Sequence, residues 1–128
     1  MKTNKILIIL LSLVSLISCD PPAYLNFYVK NNCNDTIEVK CETFTLKKES
    51  ITVTVPPFET TNFLRDEALL WMSISKEDVN NILKKMEIRK NDSSMKSDPL
   101  ENLDRWTFEK LSKDTYKFVL IIYPEDFE

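Results

Sequence analysis

Glycine and histidine are both missing from this 128-residue chain, and each absence closes off chemistry. Gly-rich phosphate cradles, dinucleotide fingerprints and nucleophile elbows all need glycine at fixed places, so they are excluded. Without histidine, the commonest general base and the commonest metal ligand are gone. A Ser or Cys nucleophile would then need a lysine as its base, and Ser94–Lys96 reads as an ordinary polar loop. Zinc requires several Cys or His ligands. The acidic cluster Asp98, Glu101, Asp104 lacks the spacing of a calcium loop. No enzyme activity, cofactor or metal is expected. Glycine is also the usual residue at positive φ, so tight turns must lean on Asn and Asp. Asn31-Asn32, Asn34-Asp35 and Asn91-Asp92 are placed for that.

Long apolar runs are scarce too. The longest, Ile6 to Ile17, is broken only by Ser12 and Ser15 and follows Lys2 and Lys5. It has the length of a signal h-region and falls short of the ~20 residues that a bilayer span needs. Leu16-Ile17-Ser18-Cys19 closes it. This tetrad resembles a lipobox, the motif read by the bacterial lipoprotein signal peptidase. The resemblance implies that residues 1–18 are removed and that the Cys19 thiol carries diacylglycerol. Two or more acyl chains hold stably, at ~0.8 kcal/mol per buried methylene. Asp20-Pro21-Pro22 follows, and residues 19–23 read as a lipidated Cys with a short extended spacer. The expected location is the cell envelope, with the outer membrane favoured and the leaflet left open.

The 128 residues less the first 18 leave 110, one domain's worth, here taken as residues 24–128. Of 17 basic side chains, Lys2 and Lys5 go with the signal, leaving 15 against 20 acidic ones. A mildly acidic domain argues against nucleic acid as a partner.

Period-two alternation dominates the mature chain. Leu25, Phe27 and Val29 alternate with Tyr24, Asn26, Tyr28 and Lys30. Ile37, Val39 and Cys41 alternate with Thr36, Glu38 and Lys40, and the two runs flank Asn31–Asn34 as a hairpin would. Further strands are expected at Ile51–Val55, Thr60–Leu64, Leu69–Ile74 (containing Trp71), from about residue 85, and at Trp106–Leu111. Phe118–Ile122 is continuously apolar and reads as a central strand buried on both faces. Val79, Ile82, Leu83 and Met86 fall on one helical face behind a Ser75/Asp78 capping box, which predicts a short helix over 76–84. Residues 90–104 form the longest loop. The expected fold is mainly β: an antiparallel two-sheet sandwich of immunoglobulin-like or transthyretin-like architecture, with a small open barrel as the alternative.

Cys33 and Cys41 remain after lipidation as a candidate disulfide pair in an oxidising-compatible compartment. In the hairpin register Cys33 lies at the turn and Cys41 ~20 Å along the strand. A bond requires Cα atoms within ~7 Å. Cys41, on the face of Ile37 and Val39, then reads as a small buried hydrophobe.

The remaining candidates are surface features. The carboxylate pairs Asp66-Glu67, Glu77-Asp78 and Glu125-Asp126 read as solvated. Trp71, Trp106, Tyr116 and Tyr123 read as core, and Tyr24 and Tyr28 as the better candidates for an exposed site. Asp35-Thr36-Ile37 resembles the Asp-Ser/Thr-aliphatic motif at which Bacteroidota attach O-glycans, which would make Thr36 the acceptor. The overall layout resembles small envelope lipoproteins of Bacteroidota type: the lipobox, a first strand ending in an Asn-rich turn (Val29 to Thr36), and a last strand ending Tyr123-Pro124-Glu125-Asp126. That likeness implies a β-sandwich on the envelope and brings no activity with it. The expected role is a non-enzymatic domain that binds or scaffolds an envelope protein or glycan. The alternative is an inhibitor or immunity-type lipoprotein against a hydrolase or toxin, using the 90–104 loop as a plug.

Overall fold

The computed structural model describes residues 22–44, 50–69 and 73–128, apart from the side chain of Leu69. The lipobox, Cys19 and Trp71 lie outside the described residues. The described residues form eight strands: β1 (Pro22–Asn31), β2 (Ile37–Thr43), β3 (Ser50–Val55), β4 (Thr60–Leu69), β5 (Leu83–Lys90), β6 (Ser93–Ser94), β7 (Trp106–Ser112) and β8 (Thr115–Ile122). One helix, α1 (Asp78–Ile82), precedes β5. The strands form two four-stranded sheets, ordered β4-β1-β8-β7 and β3-β2-β5-β6. The fold is a β-sandwich that does not close into a barrel.

The sheets meet because their alternating faces agree. Leu25, Phe27 and Val29 of β1, Ile37, Val39 and Cys41 of β2, Met86 and Ile88 of β5, and Phe118, Leu120 and Ile122 of β8 all enter one core. Phe27 is its hub. It stacks on Phe118 at 4.7 Å between ring centroids and meets Trp106 edge-on at 6.4 Å and Phe63 at 6.2 Å. Offset-stacked and edge-to-face geometries are the ones that ring quadrupoles favour.

The expected β1–β2 hairpin is not formed. β1 pairs with β4 antiparallel and with β8 parallel, while β2 pairs with β3 and β5 in the other sheet. Residues 32–36 are thus an arch that carries the chain across the core. Alternation marks a strand with one apolar face, and it says nothing about which strand lies beside it. Pro22 and Ala23 also belong to β1, facing Leu69 and Ala68, so the first described strand starts two residues earlier than the alternation placed it. Proline is tolerated there as the first residue of a strand.

Thr60 to Leu69 is one strand where a break was expected, and Ser73 and Ile74 lie outside any strand. Arg65-Asp66-Glu67 within it is charged because β4 is an edge strand, paired among the described residues only on its β1 side. β8 is central, as expected, yet not buried on both faces: Phe118, Leu120 and Ile122 are buried while Val119 and Ile121 are half-buried.

The helix is shorter than the predicted 76–84. Asp78 accepts from the Ser75 backbone N–H at 2.8 Å, one half of the capping box. The Ser75 hydroxyl instead bonds Glu77 and lowers its carboxyl pKa. Leu83 onward is drawn into β5 by pairing with β2. The 90–104 loop contains β6 and is tied down at several points. Met95 N–H donates to the Ile88 carbonyl at 2.9 Å and Lys96 N–H to Asp126 at 3.0 Å. The Trp106 Nε1–H donates to the Pro99 carbonyl at 2.9 Å. Pro99 and Leu100 are buried beneath it.

Candidate binding surface

Strand directions gather four segments at one end of the sandwich, away from the start of β1. These are the arch 32–36, the β3–β4 turn 56–59, the β5–β6 turn 91–92 and the C-terminal segment 123–128. We call this the loop end.

Asn31 organises it. The residue is fully buried at the end of β1. Its amide nitrogen lies 2.8 Å from the Asp35 carbonyl, 3.0 Å from Val55 and 3.2 Å from Pro56. Its amide oxygen accepts from the Cys33 N–H at 2.9 Å. Its backbone N–H donates to the Glu59 carbonyl at 2.9 Å. One asparagine thus stitches the arch to the β3–β4 turn. A buried amide with all its groups paired fixes backbone as firmly as a secondary-structure ladder. On the far side of the arch, Asn32 N–H donates to the Ile122 carbonyl at 2.8 Å.

The stitched turn is Pro56-Pro57-Phe58-Glu59, closed by Glu59 N–H to the Pro56 carbonyl at 3.2 Å. Pro57 suits the second position of a type II turn, and the third then needs φ > 0, where glycine or asparagine is usual. Phe58 occupies it at φ 63°. Its side chain is 64% exposed, so no packing against the protein explains the residue type. The expected turn asparagines account for the other case: Asn91 lies at φ 55°. None of the other Asn and Asp positions in the arch is left-handed.

Tyr123, expected in the core, is 40% exposed on the same end. Beneath it Arg105 clamps Asp126 with two bonds of 2.8 Å and donates to the Ile121 carbonyl at 2.9 Å. Asp126 also accepts from Tyr123 N–H at 2.8 Å. This fork is bidentate and half-buried, the geometry in which an ion pair positions chain.

Thr36 is exposed at the foot of the arch. It borders a groove of about 310 Å³ on the outer face of the second sheet, lined also by Glu38, Thr54, Arg89, Asn91 and Asp92. The Arg89 Nε is buried there without a hydrogen-bond partner.

Other candidates have structural employment. Cys33 and Cys41 are free, buried thiols and form no disulfide. Cys33 sits in the arch with its Sγ 4.0 Å from the Ile122 carbonyl. Cys41 lies four positions along β2 from Ile37, about 13 Å at strand rise. Burial raises both thiols, Cys41 to about 11. Asp98 caps the backbone at Leu100, and Asp66 accepts from Glu67 N–H. Among the described residues no group of three or more Cys, Asp or Glu could hold a metal. Tyr24 and Tyr28 lie on the outer face of the first sheet, half-buried under Arg65 at 4.3 Å and Lys117 at 5.1 Å. Trp106 is core, and Tyr116 is half-buried against Phe108.

Comparison with protein-family models, with curated proteins and with solved structures gives no match. The reading of the surface rests on its own geometry.

Proposed function

We propose that this chain is a lipid-anchored protein of the cell envelope whose β-sandwich is a non-enzymatic binding domain, and that the loop end is its contact surface. Phe58 is the observation that carries the proposal. An exposed aromatic at positive φ costs about 1–2 kcal/mol relative to a relaxed backbone. Such strain persists where the surroundings over-determine it, and it clusters at sites that engage something else. A rigid, exposed ring with little conformational entropy to lose is also the kind of anchor that dominates protein interfaces.

The membrane half of the reading is supported by the lipobox residues Leu16, Ile17, Ser18 and Cys19. It is also supported by orientation: β1 begins at Pro22 at the end opposite Phe58, so an anchor at Cys19 would turn the loop end away from the bilayer. Thr36, exposed beside the Arg89 groove, is open to the O-glycosyl transfer that its motif suggests. The inhibitor alternative would have to use the exposed residues 91–94 and 96–98 of the 90–104 loop, since Pro99 and Leu100 are buried and Pro99 is bonded to Trp106.

Two measurements test the proposal. A fatty-acid probe should label the native protein, and Cys19→Ala should abolish labelling and accumulate precursor; persistent labelling would sink the anchor. A photo-cross-linker at position 58 should give a discrete adduct in intact cells, while one at the exposed Thr52 on the side of the sandwich should not. Equal, diffuse adducts from both sites would remove the loop end as the contact surface.

A further inference from the structure

Four large apolar side chains are exposed among the described residues: Phe44, Phe58, Leu111 and Tyr123. Phe58 and Tyr123 belong to the loop end. Phe44 and Leu111 lie at the opposite end, one on each sheet. Phe44 follows β2, where its N–H donates to the Ile82 carbonyl at 2.9 Å. Leu111 is in β7 just before the turn into β8, and that turn bonds the start of β1 through Tyr24 N–H to the Asp114 carbonyl at 2.7 Å.

Both side chains continue the outward-facing positions of their strands, Leu111 with Thr107 and Glu109, Phe44 with Lys40 and Glu42. The β7–β8 register shifts between Lys110 and Ser112, where Lys110 faces Tyr116 and Ser112 faces Thr115. Leu111 is the extra residue of that bulge. It is 50% exposed. The β2–β5 register shifts opposite Glu42 and Thr43, with Lys84 of β5 as the extra residue, and Phe44, just beyond β2, is 58% exposed.

We propose that Phe44 and Leu111 seat this end of the sandwich in the headgroup layer of the bilayer that holds Cys19. The inference deepens the lipoprotein reading and rests on it. Chain length argues for the occupant. Only three residue steps separate Cys19 from Pro22, a reach of at most ~11 Å, and Ala23 is already buried in the sheet. A lipidated Cys19 would leave no room for a spacer that lifts the domain clear. The surface facing the lipid must then be this end, and apolar side chains there enter the interface as those of interfacial segments do, ~5–10 Å deep. Two contacts on different sheets would hold the sandwich upright and fix the loop end outward. Charge is nearly balanced among the described residues at this end: the exposed Lys84, Lys85 and Lys113 stand against the exposed Glu42 and Glu77, a net of one positive charge. Apolar contact dominates, so high salt should not unseat the domain.

The test uses the full, lipidated protein in vesicles of phosphatidylethanolamine and phosphatidylglycerol. An NBD label is placed at Phe44→Cys, Leu111→Cys or Phe58→Cys; Cys33 and Cys41, buried with raised pKa, stay unlabelled. Labels at 44 and 111 should emit blue-shifted and be quenched by brominated lipid, in low and high salt alike, while the label at 58 stays water-like. Because NBD is itself apolar, a second reporter at Lys113→Cys should be quenched with Phe44 and Leu111 present and lose that quenching in Phe44→Asp/Leu111→Asp. Lipidated protein with water-like labels at 44 and 111 overturns the seat and leaves the anchor standing. Bilayer quenching at 58 overturns the orientation. Protein that carries no acyl probe overturns the anchor itself.

Discussion

Holding Phe58 at φ 63° is a cost that asparagine would largely avoid, since its short polar side chain tolerates the left-handed region. Phe58→Asn should therefore raise unfolding stability by about 0.5–1 kcal/mol while removing the adduct formed from that turn. Chemical denaturation and cross-linking read the two effects separately, and a variant that gained stability and kept full contact would show the ring to be idle. The signal for this residue was present in the sequence: Pro56-Pro57 sets up a turn whose third position asks for glycine, in a chain with none. Asn and Asp are the usual substitutes for glycine at positive φ, which accounts for Asn91 but not for Phe58. Asn31 was read as a turn residue for its type. Its role as a buried stitch depends on three segments that converge only in the folded chain. The thiols carry a second prediction. Cys41 has an ordinary pKa of 9.0 and is raised to about 11 by burial. Below pH 9 both folded and unfolded thiols keep the proton. Between 9 and 11 only the unfolded one releases it, so stability falls as pH rises through that window. Denaturation midpoints across the window should decline, and Cys41→Val should flatten that slope.

At the scale of elements, strands with one dry and one wet face were legible because their burial follows the period of two. β1, β2, β3 and β7 all sit within two residues of where alternation placed them. Two kinds of element were not legible. The middle of β4 is charged because an edge strand can face water on both sides of the sheet, so its ladder to β1 leaves no hydrophobic trace. The partner of β1 was misassigned because local sequence favours the nearest strand, whereas the arch moves β2 to the other sheet. The 90–104 segment illustrates a third case. Its composition is that of a free loop, yet Trp106 pins it through Pro99. Trp106→Phe keeps most of the apolar volume and removes one buried bond, which should cost about 1–3 kcal/mol. Hydrogen exchange should quicken locally over residues 96–102. Uniform quickening across the sandwich would assign the tryptophan to the core alone.

At the scale of the molecule, the two ends of the sandwich differ in what they expose. One end holds the start of β1, Phe44 and Leu111; the other holds the stitched loops, Phe58 and Tyr123. The separation follows from the long strands running the length of the sandwich, so that the β1–β2, β3–β4 and β5–β6 connections gather at one end and the β7–β8 turn lies at the other. The parallel pairing of β1 with β8 has a kinetic consequence. The first strand waits for the last: Leu25 to Asn31 find their neighbours Tyr116 to Ile122 only after about 90 intervening residues are available. A chain threaded N-terminus first through an export channel would therefore hold no complete first sheet until its final strand emerged. Arrested chains ending before Thr115 should remain fully sensitive to protease, and full-length released chains should become resistant. Resistance in the arrested chains would show that β1 and β4 suffice alone. On this topology, the first sheet closes last, and an exported chain would stay loose during passage and lock only once its final strand was free.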